Sequence, residues 1–186
     1  MADSSSASLF FIGGCRSGKS ALAQRWAEAC GPRRVYVATC TVQDAEMAAR
    51  VARHQAARGA GWSTVEATDD VPAAILRAAA AQPDALVLDC VTLWLSTLCA
   101  QGRSAEDILR GADSLADILR CPPCPVAAVS NELGLGMVPM QPLSRAFRDL
   151  SGEVHQRLAA ACGTVLFVTC GLPLALKGSI PRVLRA

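Results

Sequence analysis

The sequence carries almost no net charge: 18 Lys and Arg against 16 Asp and Glu leave a formal +2 at pH 7. So near a balance offers neither a broad nucleic-acid-binding surface nor a polybasic membrane anchor, and any anion must be held by a local site. Long apolar runs are also missing. None reaches the roughly 20 residues needed to cross a bilayer, and the longest candidate, Thr164 to Leu176, is interrupted by Gly171 and Pro173. The N-terminal MADSSSAS lacks a basic region and an apolar core and does not read as a secretory signal. Residues 1–7 are expected to form a flexible tail, and the protein to be cytoplasmic. Histidine is scarce, with only His54 and His155. Cysteine is not scarce, but its nine residues are odd in number and scattered. The one close pair, Cys121 and Cys124, has no second CxxC and no nearby histidine to complete a tetrahedral zinc site. Cys40, Cys90 and Cys170 close apolar runs, where a small buried hydrophobe fits.

What is present suffices for one core. Hydrophobic residues make up 52% of the chain and charged residues 18%, which argues against disorder. Short runs rich in Val, Leu, Ile, Phe and Ala, as strands buried on both faces should be, occur at Ser8–Ile12, Arg34–Thr39, Ala85–Asp89, Pro125–Ser130 and Thr164–Thr169. Between them lie helical patterns at Lys19–Ala29, Asp44–Arg58, Val71–Ala81, Glu106–Arg120 and Leu143–Ala161. Trp62–Glu66 suits a short edge strand, and Gln101 to Ser104 a surface loop. Strands alternating with helices predict βαβ units and a mainly parallel sheet flanked by helices. No linker divides the chain, so residues 8–186 are expected to form a single α/β domain.

The segment Gly13-Gly14-Cys15-Arg16-Ser17-Gly18-Lys19-Ser20 satisfies G-x-x-x-x-G-K-[ST]. Glycines let the backbone curl so that successive N–H groups face phosphate oxygens. Lys19 is placed to reach the β- and γ-phosphates and the Ser20 hydroxyl to ligate Mg²⁺, while the following helix directs its positive end at the same anion. The motif follows a strand and opens a helix, as its chemistry requires. Asp89, ending an apolar run, is the candidate acidic partner for Mg²⁺ or its water; the same carboxylate also suits a helix cap.

On the Asp44–Arg58 helix, Arg50, His54 and Arg58 recur every fourth residue and share a face. Arginines there would neutralise polyphosphate oxygens and keep the imidazole unprotonated and nucleophilic. Spacing alone more often describes a solvated helix face.

The chain resembles, nearly end to end, the bifunctional adenosylcobinamide kinase/adenosylcobinamide-phosphate guanylyltransferase family of cobalamin biosynthesis. The resemblance is carried by the glycine-rich loop, Tyr36–Cys40, Asp44–His54, Arg58 with Trp62, Thr64 and Glu66, Leu88–Leu95, Ser130–Pro139, Arg145–Gln156 and Gly171–Gly178. It implies a P-loop NTPase of RecA-like fold, assembled as a homotrimer, that uses GTP and ATP with Mg²⁺. ATP or GTP would phosphorylate adenosylcobinamide. His54 would then attack the α-phosphorus of GTP, and adenosylcobinamide phosphate would take the guanylyl group. Lys19 is the second catalytic residue so implied. The nucleotide contacts are Gly13, Gly14, Cys15, Arg16, Ser17, Gly18, Lys19, Ser20, Ala38, Thr39, Cys40, Gln55, Ala56, Ala57, Arg58, Glu66 and Asp89, with Ser20 and Asp89 on the metal.

Glu66 is expected either to accept from guanine N1–H and N2–H or to stand as an exposed strand-end carboxylate. Cys15 replaces a commoner Ala or Thr, adding an oxidisable thiol beside the phosphates. His155 replaces a commoner Asn and is expected to pack or to touch substrate, not to act as nucleophile. Asn131 and Glu132 are left open between corrinoid and magnesium. Two other functions compete: a small-molecule kinase without guanylyltransferase activity, and a GTP-dependent switch or binding module. Against the last, the sequence has no guanine-specificity motif of the NKxD kind.

Overall fold

A computed structural model describes residues 8–40 and 58–185. The strands are β1 Ser8–Gly13, β2 Arg34–Ala38, β3 Trp62–Glu66, β4 Ala85–Asp89, β5 Val126–Asn131, β6 Thr164–Thr169 and β7 Leu172–Lys177. The helices among the described residues are α1 Lys19–Cys30, α2 Val71–Ala79, α3 Val91–Ala100, α4 Ala105–Arg120 and α5 Pro142–Ala161, with a 3₁₀ turn at Arg182–Leu184. One sheet takes the order β3-β2-β4-β5-β1-β6-β7. Every pairing is parallel except β6 with β7.

Alternation along the strands divides the interior into two cores. Phe10, Ile12, Val35, Val37, Leu86, Leu88, Val126 and Ala128 face α2, α3, α4 and α5. Leu9, Phe11, Tyr36, Val87, Ala127 and Val129 face α1 and the 3₁₀ turn. Right-handed crossovers account for the division. From β1 the chain moves outward to β2 with α1 on one face. From β3 it returns through β4 and β5 to β6 with its helices on the other. The crossover from β1 thus lies opposite those from its neighbours, which opens a crevice at the carboxyl ends of the central strands.

Among the described residues the predicted elements recur with shifts of one or two residues, and a helix, a strand and the 3₁₀ turn appear in addition. Helix α3 lies in a segment whose apolar residues run too densely to show an amphipathic period; Val91, Trp94 and Leu95 are all buried. The apolar run from Thr164 is two strands, because Cys170 (φ 52) and Gly171 (φ 78) take left-handed conformations that reverse the chain. Pro173 is tolerated because β7 is an edge strand. The 1–7 tail and the helical pattern over residues 44–57 lie outside the described residues.

Candidate functional site

At the end of β1 the chain must pass β6 closely. A Cβ on Gly13 would stand 2.2 Å from the Val168 carbonyl oxygen, so only glycine passes. The loop then turns through Arg16 (φ 55) and Gly18 (φ 100) into α1. Ser17 N–H closes it on Gly14 O at 3.3 Å, and Gly171 N–H braces it by donating to Ser17 O at 2.8 Å. Lys19 lies buried across the cradle. Its ammonium donates to Gly14 O at 2.7 Å, to Asn131 Oδ1 at 3.0 Å and to Ser17 Oγ at 3.4 Å. Burial lowers its pKa, and nearby Asp89 opposes that shift.

Strand β5 stands between β1 and β4 and sets the spacing of the charged groups. Gly13 is in register with Asn131, and Asp89 with Val129. Ala38 is in register with both Asp89 and Glu66, so the carboxyl ends of β3, β2 and β4 align those three residues. Asp89 precedes the α3 N-cap, which is Cys90, and its Oδ2 accepts from the Tyr36 hydroxyl at 2.7 Å. Burial, then the Asp89 charge, push the Tyr36 phenol far above its ordinary range, so it remains a donor. The Arg58 guanidinium lies 3.8 Å from the Tyr36 ring centroid, a cation–π contact, and donates to Thr64 Oγ1 at 3.4 Å. Thr39 is fully buried; its hydroxyl donates to Cys90 O at 2.7 Å and accepts from Cys90 N at 2.8 Å, which pins the end of β2 to that of β4.

The donors suit a hard divalent cation. Ser20 and Asp89 offer a hydroxyl and a carboxylate, and no group of three or more His, Cys, Asp and Glu side chains forms a metal cage among the described residues. Mg²⁺ takes one or two protein oxygens and fills its octahedron with phosphate oxygens and water.

The structure therefore brings Gly13 to Ser20 together at the cradle and aligns Ala38, Glu66 and Asp89 along the neighbouring strand ends. Arg58 is held on Tyr36, Cys15 and Arg16 are exposed, and Cys40 is half-buried. Arg50, His54, Gln55, Ala56 and Ala57 lie outside the described residues. His155 is buried behind the sheet with Nε2 2.7 Å from Ser130 Oγ. Asn131 is the lysine's partner, and Glu132 accepts from Gly134 N–H. Sequence reasoning assigned no role to Tyr36, Thr92 or Ser130. Their only signal was a place inside motifs, since contacts across strands leave no period. Cys90 and Cys162 are buried, with thiols pushed up to about 12, and so are unsuited to nucleophilic chemistry.

A parallel sheet with this cradle at the end of β1, its lysine in place and an acidic strand end nearby, defines a P-loop NTPase domain. Residues 9–176 match the family described as cobinamide kinase / cobinamide phosphate guanyltransferase, and the chain belongs to that family. It is 42% identical over 170 residues to the bifunctional adenosylcobalamin biosynthesis protein CobP of Pseudomonas aeruginosa, covering 90% of this chain and 95% of that one. To the bifunctional adenosylcobalamin biosynthesis protein CobU of Salmonella typhimurium it is 38% identical over 184 residues, covering 91% and 99%. A solved ATPase of the type III secretion system of pathogenic bacteria shares the fold at 13% identity and a TM-score of 0.50. There the match covers 90% of this chain but 56% of the ATPase, so the chain spans little more than half of that protein's length.

Proposed function

We infer that the chain phosphorylates adenosylcobinamide and then transfers GMP from GTP to the product. The observation that carries this reading is the Lys19 ammonium held between Gly14 O and Asn131 Oδ1, with Asp89 nearby, in a chain of this family. In the first reaction the substrate hydroxyl attacks the γ-phosphorus of ATP or GTP, the nucleoside diphosphate leaves, and the hydroxyl proton passes to solvent. Lys19 and the loop N–H groups stabilise the charge shared by the phosphoryl oxygens. In the second, His54 attacks the α-phosphorus of GTP and pyrophosphate leaves. A phosphate oxygen of adenosylcobinamide phosphate then displaces the histidine to give adenosylcobinamide-GDP. Ser20 and Asp89 would hold Mg²⁺, whose chemistry when bound would be to neutralise negative charge on the triphosphate. Glu66, exposed at the edge of the sheet, supplies the guanine contact in this reading. The enzyme works as a cytoplasmic homotrimer, and no helix among the described residues is long and apolar enough to cross a membrane.

Labelled GTP tests the proposal. With Mg²⁺, α-labelled GTP should leave an acid-labile, base-stable label on the protein; γ-labelled GTP should label adenosylcobinamide but not the protein. At saturating GTP, His54→Ala should abolish the protein label, whereas His155→Ala should still take it, because only the nucleophile forms the bond. A wild-type protein that takes no α-label would overturn the guanylyl-histidine step.

A further inference from the structure

The nucleotide cradle is tied to the far side of the sheet by a run of hydrogen bonds, buried at His155 and Ser130 and part-buried at Asn131. His155, on α5, retains 8% of its exposure and sits with its ring centroid 5.8 Å from that of Phe10. Its Nε2 lies 2.7 Å from Ser130 Oγ, and Ser130 Oγ lies 2.8 Å from Thr92 Oγ1 on α3. Thr92 Oγ1 accepts the Asn131 backbone N–H at 2.8 Å, and Asn131 Oδ1 accepts from the Lys19 ammonium at 3.0 Å. The path thus begins behind the sheet and ends on the P-loop lysine.

Donor and acceptor chemistry gives the path a direction. The Asn131 N–H can only donate, so the Thr92 hydroxyl spends a lone pair there and sends its own proton to Ser130. Ser130 in turn places its proton on His155 Nε2 when the ring carries its own proton on Nδ1; the Nε2–H tautomer would reverse that contact and leave the Ser130 proton with no acceptor among the described hydrogen bonds. The opposite sense would send the Thr92 proton to Asn131 O, at 3.5 Å a much poorer acceptor. Burial lowers the pKa of His155, against the opposing charge of Glu132, and so favours the neutral ring.

We propose that His155 is a positioning residue for the P-loop lysine, acting through Ser130, Thr92 and Asn131. Lys19 has a long flexible stem and, apart from Asn131, its ammonium donates to Gly14 and Ser17 of its own loop. Asn131 is therefore the link that refers the ammonium to the sheet. The Thr92 hydroxyl holds the Asn131 backbone, and neutral His155 orients the hydroxyls behind it. This inference rests on the reading of Lys19 as the triphosphate ligand.

The test compares His155→Leu, which removes the acceptor, with His155→Gln, whose side-chain carbonyl can replace Nε2. Thr92→Val breaks the path at an isosteric site should His155→Leu fold poorly. GTP affinity, kcat and KM for adenosylcobinamide phosphorylation, and thermal midpoint are measured for each. The break should weaken GTP binding and lower kcat by about tenfold, the scale of one lost charge-linked hydrogen bond, with the KM for adenosylcobinamide unchanged. His155→Gln should recover most of both, and in an Asn131→Ala background the break should add nothing further. A lower thermal midpoint with GTP affinity and kcat intact would overturn the proposal, as would additive effects with Asn131→Ala. Lys19→Met separates the two readings. If it weakens GTP binding while the His155 and Thr92 variants do not, the path alone is wrong; if it leaves GTP binding unchanged, the assignment beneath it falls as well.

Discussion

Tyr36 joins three parts of the site through one phenol. Its hydroxyl fixes Asp89, its ring carries Arg58, and its edge meets Trp62 with centroids 6.1 Å apart. Tyr36→Phe keeps both ring contacts and removes only the bond to Asp89. The expected cost in stability is about 1 kcal/mol, while kcat for both reactions should fall several-fold because the carboxylate is no longer held. Steady-state rates beside urea unfolding check this; unchanged rates would separate Asp89 from the chemistry. His155 permits a second test at this scale. Its folded pKa is lowered, so below the ordinary histidine value of about 6.5 the unfolded chain binds a proton that the fold refuses. Stability should accordingly fall as pH drops through that value, and His155→Gln should lose that part of the slope. Urea midpoints of both proteins at pH 7.5 and 5.5 give the comparison. Equal slopes would mean that His155 does not titrate as its burial requires.

At the scale of the element, caps and periods were the readable features. Ser104 takes the N-cap of α4, accepting Asp107 N–H at 3.1 Å, and Glu106 and Asp107 place negative charge in the first turn. Ser104→Ala should cost about 1 kcal/mol, a fall of roughly 2–4 °C in thermal midpoint for a chain of this size, without changing nucleotide affinity. A calorimetric scan and a GTP titration read both. Legibility followed the same physics. Helix α4 and the parallel strands were recognisable because burial imposes a period or a continuous apolar run. Helix α3 was not, since its apolar residues show no clear stripe, and the turn at Cys170–Gly171 that divides β6 from β7 rests on backbone conformation. The cradle was readable because its chemistry is contiguous from Gly13 to Ser20. The Asn131 contact to Lys19 joins positions 112 residues apart, and no local pattern encodes such a pairing.

For the molecule as a whole, two groups of large apolar side chains stand exposed among the described residues. Leu172, Leu174 and Leu176 recur at every second residue of edge strand β7, each between 58% and 60% exposed. Leu135, Met137, Val138, Met140 and Leu143, between β5 and the start of α5, are 63% to 96% exposed. An open apolar edge strand invites pairing with other chains unless something covers it, and scattered single hydrophobes would need no such cover. The proposed homotrimer would supply that cover from further copies of this chain. Sedimentation equilibrium at about 50 µM should then return three protomer masses, with a thermal midpoint that rises with protein concentration as an assembly requires. Replacing Leu174 and Leu176 together by Lys places two like charges per protomer on β7 and should shift the species toward monomer. Because both side chains already face outward, far-ultraviolet circular dichroism should stay unchanged. A monomeric wild type at that concentration would refute the trimer; a double variant that remains trimeric would move the interface away from β7, leaving the Leu135–Leu143 segment as the next surface to charge.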